Sequence, residues 1–370
     1  MPGEYKVAVI GSTGRGNYGH GIDTVWKQIP QCKVVAVADD QEAGRKTVQE
    51  RLAAPASYAD YREMLEKERP DIVAIGPRWI DRHAEFVLTA AERGCHIYME
   101  KPFCRTLAEA DAIVSTCQRK HVKLAIAHQT RYCPVLARVK KLIGEGLIGQ
   151  VLELRARGKE DARGGSEDLW VLGSHLMNMM QVLAGDPKAC QSWIFKAGQP
   201  ATSQDIFPGN EGLGPLIGDQ IQATYQFADG VLGQIGSRKA MGGSPSRFGI
   251  QVFGSKGIVE LFPGYLQRAY LLPDAGWSPG RSKSNWVPIS SAGVDAPEPV
   301  KEGGLEAGNA VAVRDLLQAI ERDREPLCNA EAGRMTIEMI LAVFESYRLK
   351  QQVALPLQTR DRHPLEQMPF

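Results

Sequence analysis

The stretch "YKVAVIGSTGRGNYGHGIDTVWKQIPQCKVVAVADD", residues 5–40, decides the fold class. Two β-branched runs, 5–11 and 33–40, flank a glycine-rich turn and the segment "GIDTVWKQI", which reads as a helix. Strand, glycine turn, helix and strand form a βαβ unit with parallel strands. The alternation continues with a helix at about 41–53, a short helix from Asp60, the strand 71–76, a helix at 82–93, the strand "HIYM", a helix from 107 and the strand 123–128. Thr106 and Glu109 spell a Thr-x-x-Glu capping box ahead of Leu107, Ala110, Ile113 and Val114. Short, continuously apolar strands between amphipathic helices describe a doubly wound parallel sheet, the α/β Rossmann class, covered on both faces. The first domain is read as residues 1–127.

Past that point the pattern changes. A helix at about 134–143, the strand 150–158 and a helix around 170–183 lead into serial strands from 189 to about 290. The sequence "FADGVLG" marks a hairpin with Asp229-Gly230 as its tight turn. Serial strands imply a large, mostly antiparallel sheet with an open face, so residues 128–370 are read as an α+β domain. The Gly-, Pro- and Ser-rich segment 274–304 reads as a long surface loop. Two closing helices, at about 306–322 and 330–349, are free to pack back on the first domain.

Composition excludes several classes of partner. The 370 residues are 43% hydrophobic and 24% charged, with a formal net charge of +1 and no block of like charges. Nothing there favours nucleic acid or a membrane surface. The longest apolar stretches are too short to span a bilayer, and the N-terminus shows no signal-peptide core. Seven scattered cysteines without any C-x-x-C fit a reducing compartment and no metal site. The expectation is a soluble cytoplasmic protein.

The glycine turn carries the first chemistry. Gly11, Thr13 and Gly16 occupy G-x-G-x-x-G positions, with threonine in the middle slot, and Gly14-x-Gly16-x-x-Gly19 matches literally but further from the strand. In such a turn, backbone N–H groups and a helix N-terminus meet a pyrophosphate, so Gly14 and Arg15 are counted with the cofactor contacts. Asp39 ends the second strand, where an acidic side chain binds the adenosine ribose hydroxyls. The plainer reading is that Asp39 and Asp40 start a turn. Two aspartates with no basic residue before Arg45 favour NAD over NADP.

These and five further stretches resemble the Gfo/Idh/MocA oxidoreductases, named for glucose-fructose oxidoreductase and inositol dehydrogenase. The others are "HAEFVLTAAERGCHIYMEKP" (83–102), "RYCP" (131–134), "GSHLMN" (173–178), "VFGSKGIVEL" (252–261) and the closing "AVRDLLQAIERDREPL" with "LPL" (355–357). The resemblance implies that Lys101 lies beside the nicotinamide and the reacting carbon, with Glu100 as a partner that positions it and Pro102 restraining the backbone. An ordinary ion pair at a helix entrance is the alternative. The family's second catalytic group ends a D-x-G-x-H pattern, matched by Gly173-Ser174-His175. The aspartate slot holds Val171, which cannot pass a proton, and Asn178 stands where an acidic residue is usual. Asp168, seven residues before His175, or Asp161 is the candidate substitute. Pro77 and His83 match residues that line the nicotinamide ribose, with Arg78 in the asparagine slot.

Softer expectations concern the substrate. Trp79 is either a stacking face for a sugar or a packing residue. Arg131 matches a family arginine, though a structural ion pair between domains is the reading slightly favoured. His128 and Gln129 lie at the expected cleft, and Lys159, Arg163 and Trp170 are further cleft candidates. The resemblance implies an NAD-dependent oxidoreductase that takes a hydride from a secondary hydroxyl of a sugar, cyclitol or glycoside. It also implies a homodimer or homotetramer joined through the open sheet face. Two rivals stay open: a glycosidase or lyase that retains its NAD, and a non-catalytic NAD-dependent regulator.

Overall fold

The computed structural model describes residues 4–368. The chain divides into two compact units, one of residues 1–129 with 210–213 and 305–337, the other of 130–209, 214–304 and 338–370.

The first unit is built on six parallel strands: β1 (Tyr5–Ile10), β2 (Cys32–Ala38), β3 (Ala56–Tyr58), β4 (Ile72–Ile75), β5 (His96–Met99) and β6 (Leu124–Ile126). Their order is β3-β2-β1-β4-β5-β6. Helices α1 (Glu42–Leu52), α2 (Tyr61–Glu68), α3 (His83–Glu92) and α4 (Leu107–Lys120) connect them. Every residue of β4 is buried, as a strand covered on both faces must be. The capping box forms as the sequence spells it: Thr106 Oγ1 accepts from the Glu109 amide at 3.1 Å, and Glu109 Oε2 from the Thr106 amide at 3.3 Å. A cap of this kind contributes about 1 kcal/mol.

The first crossover differs from expectation. Between β1 and β2 there is no α-helix, only a 3-10 turn at Val25–Gln28. Gly14, Gly16, Gly19 and Gly21 all adopt positive φ, which an α-helix cannot contain. Residues 12–17 instead form a miniature hairpin, with Ser12 N donating to Asn17 O at 3.0 Å and Asn17 N to Ser12 O at 2.9 Å.

The second unit opens with α5 (Pro134–Gly144), β7 (Val151–Arg157), α6 (Ser166–Val171) and α7 (Gly173–Ala184). The helix read at 170–183 is thus two, broken at Leu172, where φ is −119°. Then come β8 (Ala189–Lys196), β9 (Gln199–Pro200), the hairpin β10 (Ile206–Pro208) with β11 (Pro215–Ile217), β12 (Gln220–Gln226) and β13 (Leu232–Arg238). Strands β14 (Gly249–Gly254), β15 (Gly257–Leu261) and β16 (Ala269–Leu272) follow. The supposed loop 274–304 is not bare: it carries the short helix α8 (Pro279–Ser282) and β17 (Val287–Ile289). After α9 (Gly304–Glu321) and α10 (Ala330–Leu349), β18 (Val353–Ala354) returns to the large sheet. That sheet runs β17-β16-β15-β14-β7-β13-β12-β8-β18, with β9 on β8, and only the β7–β13 pair is parallel. The turn at Asp229 and Gly230, with φ of 54° and 76°, joins β12 to β13 as expected.

The first unit includes most of α9. Among the described residues no helix is long and apolar enough to cross a membrane, no disulfide forms, and no three His, Cys, Asp or Glu side chains are grouped to hold a metal ion.

Candidate active site

In an open parallel sheet, ligands bind outside the carboxyl ends of the strands where strand order reverses. Here the reversal lies between β1 and β4. The glycine loop after β1 and the loop 76–82 after β4 flank it. Gly16, with φ +86°, would drive a Cβ to 2.3 Å from the Arg78 amide nitrogen, so only glycine fits there. Gly14 (φ +81°) faces open space, as close approach of a dinucleotide demands. Tyr18 is buried beneath the turn, and a Cβ on Gly11 would lie 2.2 Å from its ring. Burial, then the charge of Asp39, pushes the Tyr18 hydroxyl pKa up.

Asp39, immediately after β2, is almost fully enclosed. Its Oδ2 accepts from Thr13 N at 3.0 Å and Thr13 Oγ1 at 2.7 Å, and its Oδ1 from Gln41 N at 3.0 Å. A carboxylate has about four acceptor sites, so about one is left for a ribose hydroxyl. A cleft of about 220 Å³ opens beside it, lined by Gly11, Asp39, Asp40, Tyr61, Arg82 and Phe86 among others. Its position at the ends of β1, β2 and β3 suits the adenosine half of a dinucleotide. Arg62 and Arg82 also line it, and sequence proximity to Asp39 gave no sign of either. Both are committed to Glu85. Arg82 reaches it at 3.0 Å, Arg62 pairs with it as well, and the Arg82 hydrogen bond leads the effects that hold the Glu85 carboxyl down to about 2.

Several expected ligand contacts also brace the loops around the site. His83 is wholly buried, with Nδ1 2.8 Å from the Pro102 carbonyl and Nε2 2.7 Å from the Pro77 carbonyl. It ties the ends of β4 and β5 together and has no nitrogen left for a ribose. Glu100 is also buried; His20 Nδ1 pairs with its Oε1, and the Lys101 amide donates to its Oε2 at 3.3 Å. Glu100 therefore grips the backbone at Lys101, just past β5. Arg78 keeps its guanidinium partly exposed with Glu211 at 3.8 Å. Arg15 stacks over Trp79 at 4.7 Å and pairs with Asp81. Trp79 is half-buried, and His128 is buried.

Asn309, on α9, had no signal in the sequence. Its Oδ1 accepts from Tyr98 Oη at 2.8 Å and Gln129 Nε2 at 2.7 Å, and its Nδ2 donates to the His20 carbonyl at 2.8 Å. One side chain thus joins the glycine loop, β5 and the end of β6.

In the second unit His175 begins α7 and stays half-buried, while Val171 and Asn178 on either side are buried. Asp168 is fully enclosed: Ser237 Oγ donates to its Oδ2 at 2.6 Å and Glu160 N at 3.1 Å. A Cβ on Gly158 would come 2.1 Å from that oxygen, and burial pushes the Asp168 carboxyl pKa up. Its Oδ2 braces α6 against β13, while its Oδ1 is buried with no hydrogen-bond partner. Asp161 is held down to about 2, chiefly by the Arg163 guanidinium at 2.7 Å, with Lys159 at 3.7 Å. So low a value disfavours Asp161 as a proton donor. Trp170, expected in a cleft, is fully buried core. Arg131 donates to Gln181 Oε1 at 2.8 Å.

The chain matches the NAD-binding Rossmann model of the Gfo/Idh/MocA oxidoreductases over residues 5–128 and that family's C-terminal alpha/beta model over 140–355. It belongs to that family. Levoglucosan dehydrogenase of Pseudarthrobacter phenanthrenivorans is 27% identical over 256 residues, 62% of this chain and 65% of that enzyme's length. Myo-inositol 2-dehydrogenase of Thermotoga maritima is 25% identical over 258 residues, 68% of this chain and 74% of its own. A levoglucosan dehydrogenase solved with NADH and levoglucosan superposes with a TM-score of 0.77 at 20% identity, covering 95% of this chain and 100% of that one, a likeness of fold. NAD is the cofactor of this family's Rossmann unit, and the open Gly14, the Asp39 acceptor and the adenosine cleft fit it.

Proposed function

We propose that the protein removes a hydride from a secondary hydroxyl of a sugar, cyclitol or glycoside. The observation that carries this reading is Lys101, which leaves the carboxyl end of β5 on a backbone held by Glu100, on the ligand-binding edge of an NAD-binding sheet. Bound NAD supplies the hydride acceptor; the protein supplies orientation and proton traffic. The Lys101 ammonium hydrogen-bonds the substrate hydroxyl and, in its neutral form, takes the proton. His175 is the second proton group. The names of the curated relatives, an anhydrosugar and a cyclitol dehydrogenase, support the substrate class.

One observation favours a second reading. Val171 stands in the slot of the family aspartate and cannot pass a proton, and the Arg163 guanidinium holds the Asp161 carboxyl down to about 2. In that reading oxidation acidifies the neighbouring C–H, a glycosidic bond is eliminated, and the hydride returns with no net change in NAD. A panel of free sugars, cyclitols and aryl glycosides separates the two, following NADH absorbance and product release together. A dehydrogenase accumulates NADH in step with keto product; a cofactor-retaining lyase releases aglycone with none. Lys101→Ala should abolish either turnover while NAD affinity, set elsewhere on the sheet, stays within a few-fold. Full turnover in that variant would sink the assignment. A cytoplasmic location and a homo-oligomer complete the proposal.

A further inference from the structure

The Rossmann turn ordinarily meets a diphosphate with backbone N–H groups backed by the positive end of a helix. This chain has neither in the usual form. The segment after β1 has no α-helix, so the macrodipole is missing. The amides from Gly11 to Arg15 are already spent. Gly11 N donates to Ala38 O at 2.9 Å, Ser12 N to Asn17 O at 3.0 Å, and Thr13 N to Asp39 Oδ2 at 3.0 Å. Gly14 N donates to Asn17 Oδ1 at 3.0 Å and Arg15 N to Ser12 O at 3.0 Å. A diphosphate arriving at residues 11–15 meets no row of open donors.

One cation stands at the tip of the same hairpin. Arg15 extends from the loop after β1 to the loop after β4, over the Trp79 ring at 4.7 Å and against Asp81. Those two strands are the ones between which the order reverses, so the guanidinium spans the line a dinucleotide must follow. Its side chain is 48% exposed, and both partners are exchangeable: one is a ring face, the other a carboxylate on a surface loop. Gly16, packed on the Arg78 amide, fixes the hairpin tip against the second loop and so fixes where Arg15 starts.

We infer that Arg15 replaces the helix N-terminus in this protein, giving the dinucleotide's diphosphate its charged hydrogen-bond partner across the gap between β1 and β4. A planar guanidinium offers paired N–H donors suited to phosphate oxygens, which a lone amide cannot match. The inference rests on the family's cofactor and not on which alcohol is oxidised, so a failed substrate panel leaves it standing.

The test is calorimetric titration of the intact protein with NAD, ADP and adenosine, without substrate. Arg15→Ala weakens NAD and ADP by about 10- to 100-fold, the range of one charge-assisted hydrogen bond. Adenosine, which has no phosphate, binds within twofold of wild type, which also shows that the hairpin has kept its shape. Arg15→Lys, keeping the charge without the fork, falls between the two. ADP affinity within twofold of wild type in Arg15→Ala would overturn the inference. So would an equal loss for adenosine and ADP, because Arg15 would then be holding the loop and not the phosphates.

Discussion

His20 sets its Nδ1 against the Oε1 of Glu100, so the glycine loop directly supports the residue that precedes Lys101. Glu100 is only 1% exposed, and a carboxylate in such a place is costly without a partner. His20→Phe should therefore lower stability by about 1–3 kcal/mol in denaturant titration. Adding Glu100→Gln should recover part of that loss, since the orphaned charge is then gone. An unchanged midpoint in His20→Phe would show that the pair contributes nothing.

Cofactor choice is the second prediction. NAD should bind more tightly than NADP, and Asp39→Ala should weaken NAD and narrow the gap. Arg62 and Arg82 stand by the adenosine cleft but are both held by Glu85, with Asp60 also 3.8 Å from Arg62. Glu85→Gln should release them and raise NADP affinity about tenfold, the worth of one new charged contact. NADP affinity that does not move would mean that neither arginine reaches a 2′-phosphate.

A third prediction concerns acid. His363 packs on Phe344 at 5.6 Å and accepts the Leu365 amide at Nδ1, 3.2 Å away, and burial holds its pKa down to about 4. A histidine depressed in the folded state contributes stability above its unfolded value of about 6.5, lost as pH falls from there towards 4. Between pH 7 and pH 5 the wild type should lose about 2 kcal/mol on this account. His363→Gln, which keeps an acceptor for Leu365, should lose measurably less over the same interval; equal losses would remove His363 from the acid response.

The open face of the large sheet supplies the fourth. Trp193 on β8 is 45% exposed beside Gln222 on β12, its cross-strand partner. A β surface with an exposed tryptophan suits association with a second copy. Light scattering at micromolar concentration should give a dimer or tetramer, and Trp193→Glu should shift it towards monomer. A wild-type monomer would remove the proposal.

Much of this was legible in the sequence. Short apolar runs such as 72–75 admit little but buried strands, and Thr106 with Glu109 carried its own helix start. Lys101 and Asp39 each stand just past a strand end, as their positions in the sequence imply. What sequence concealed has three physical causes. Strands of two or three residues, such as β3 and β18, are too short to show a period. The apolar spacing in 21–29 suggested a helix, but four left-handed glycines between 14 and 21 set the backbone path ahead of it. Asn309, Arg62 and Glu85 reach the site from other elements, and Asp168, chosen by spacing, and Trp170, a cleft candidate, are both buried in α6.

The hairpin at 12–17 separates the path of the chain from the register of the strands. A helix that links two strands must change length by whole turns to keep its apolar face inward, and each change drags on the sheet. A loop closed by its own hydrogen bonds, with Ser12 and Asn17 as its clasp, leaves β1 and β2 their register. Its interior is pinned by Gly16 against the Arg78 amide and by Thr13 on Asp39, so engineering of the cofactor entrance is confined to positions 14 and 15.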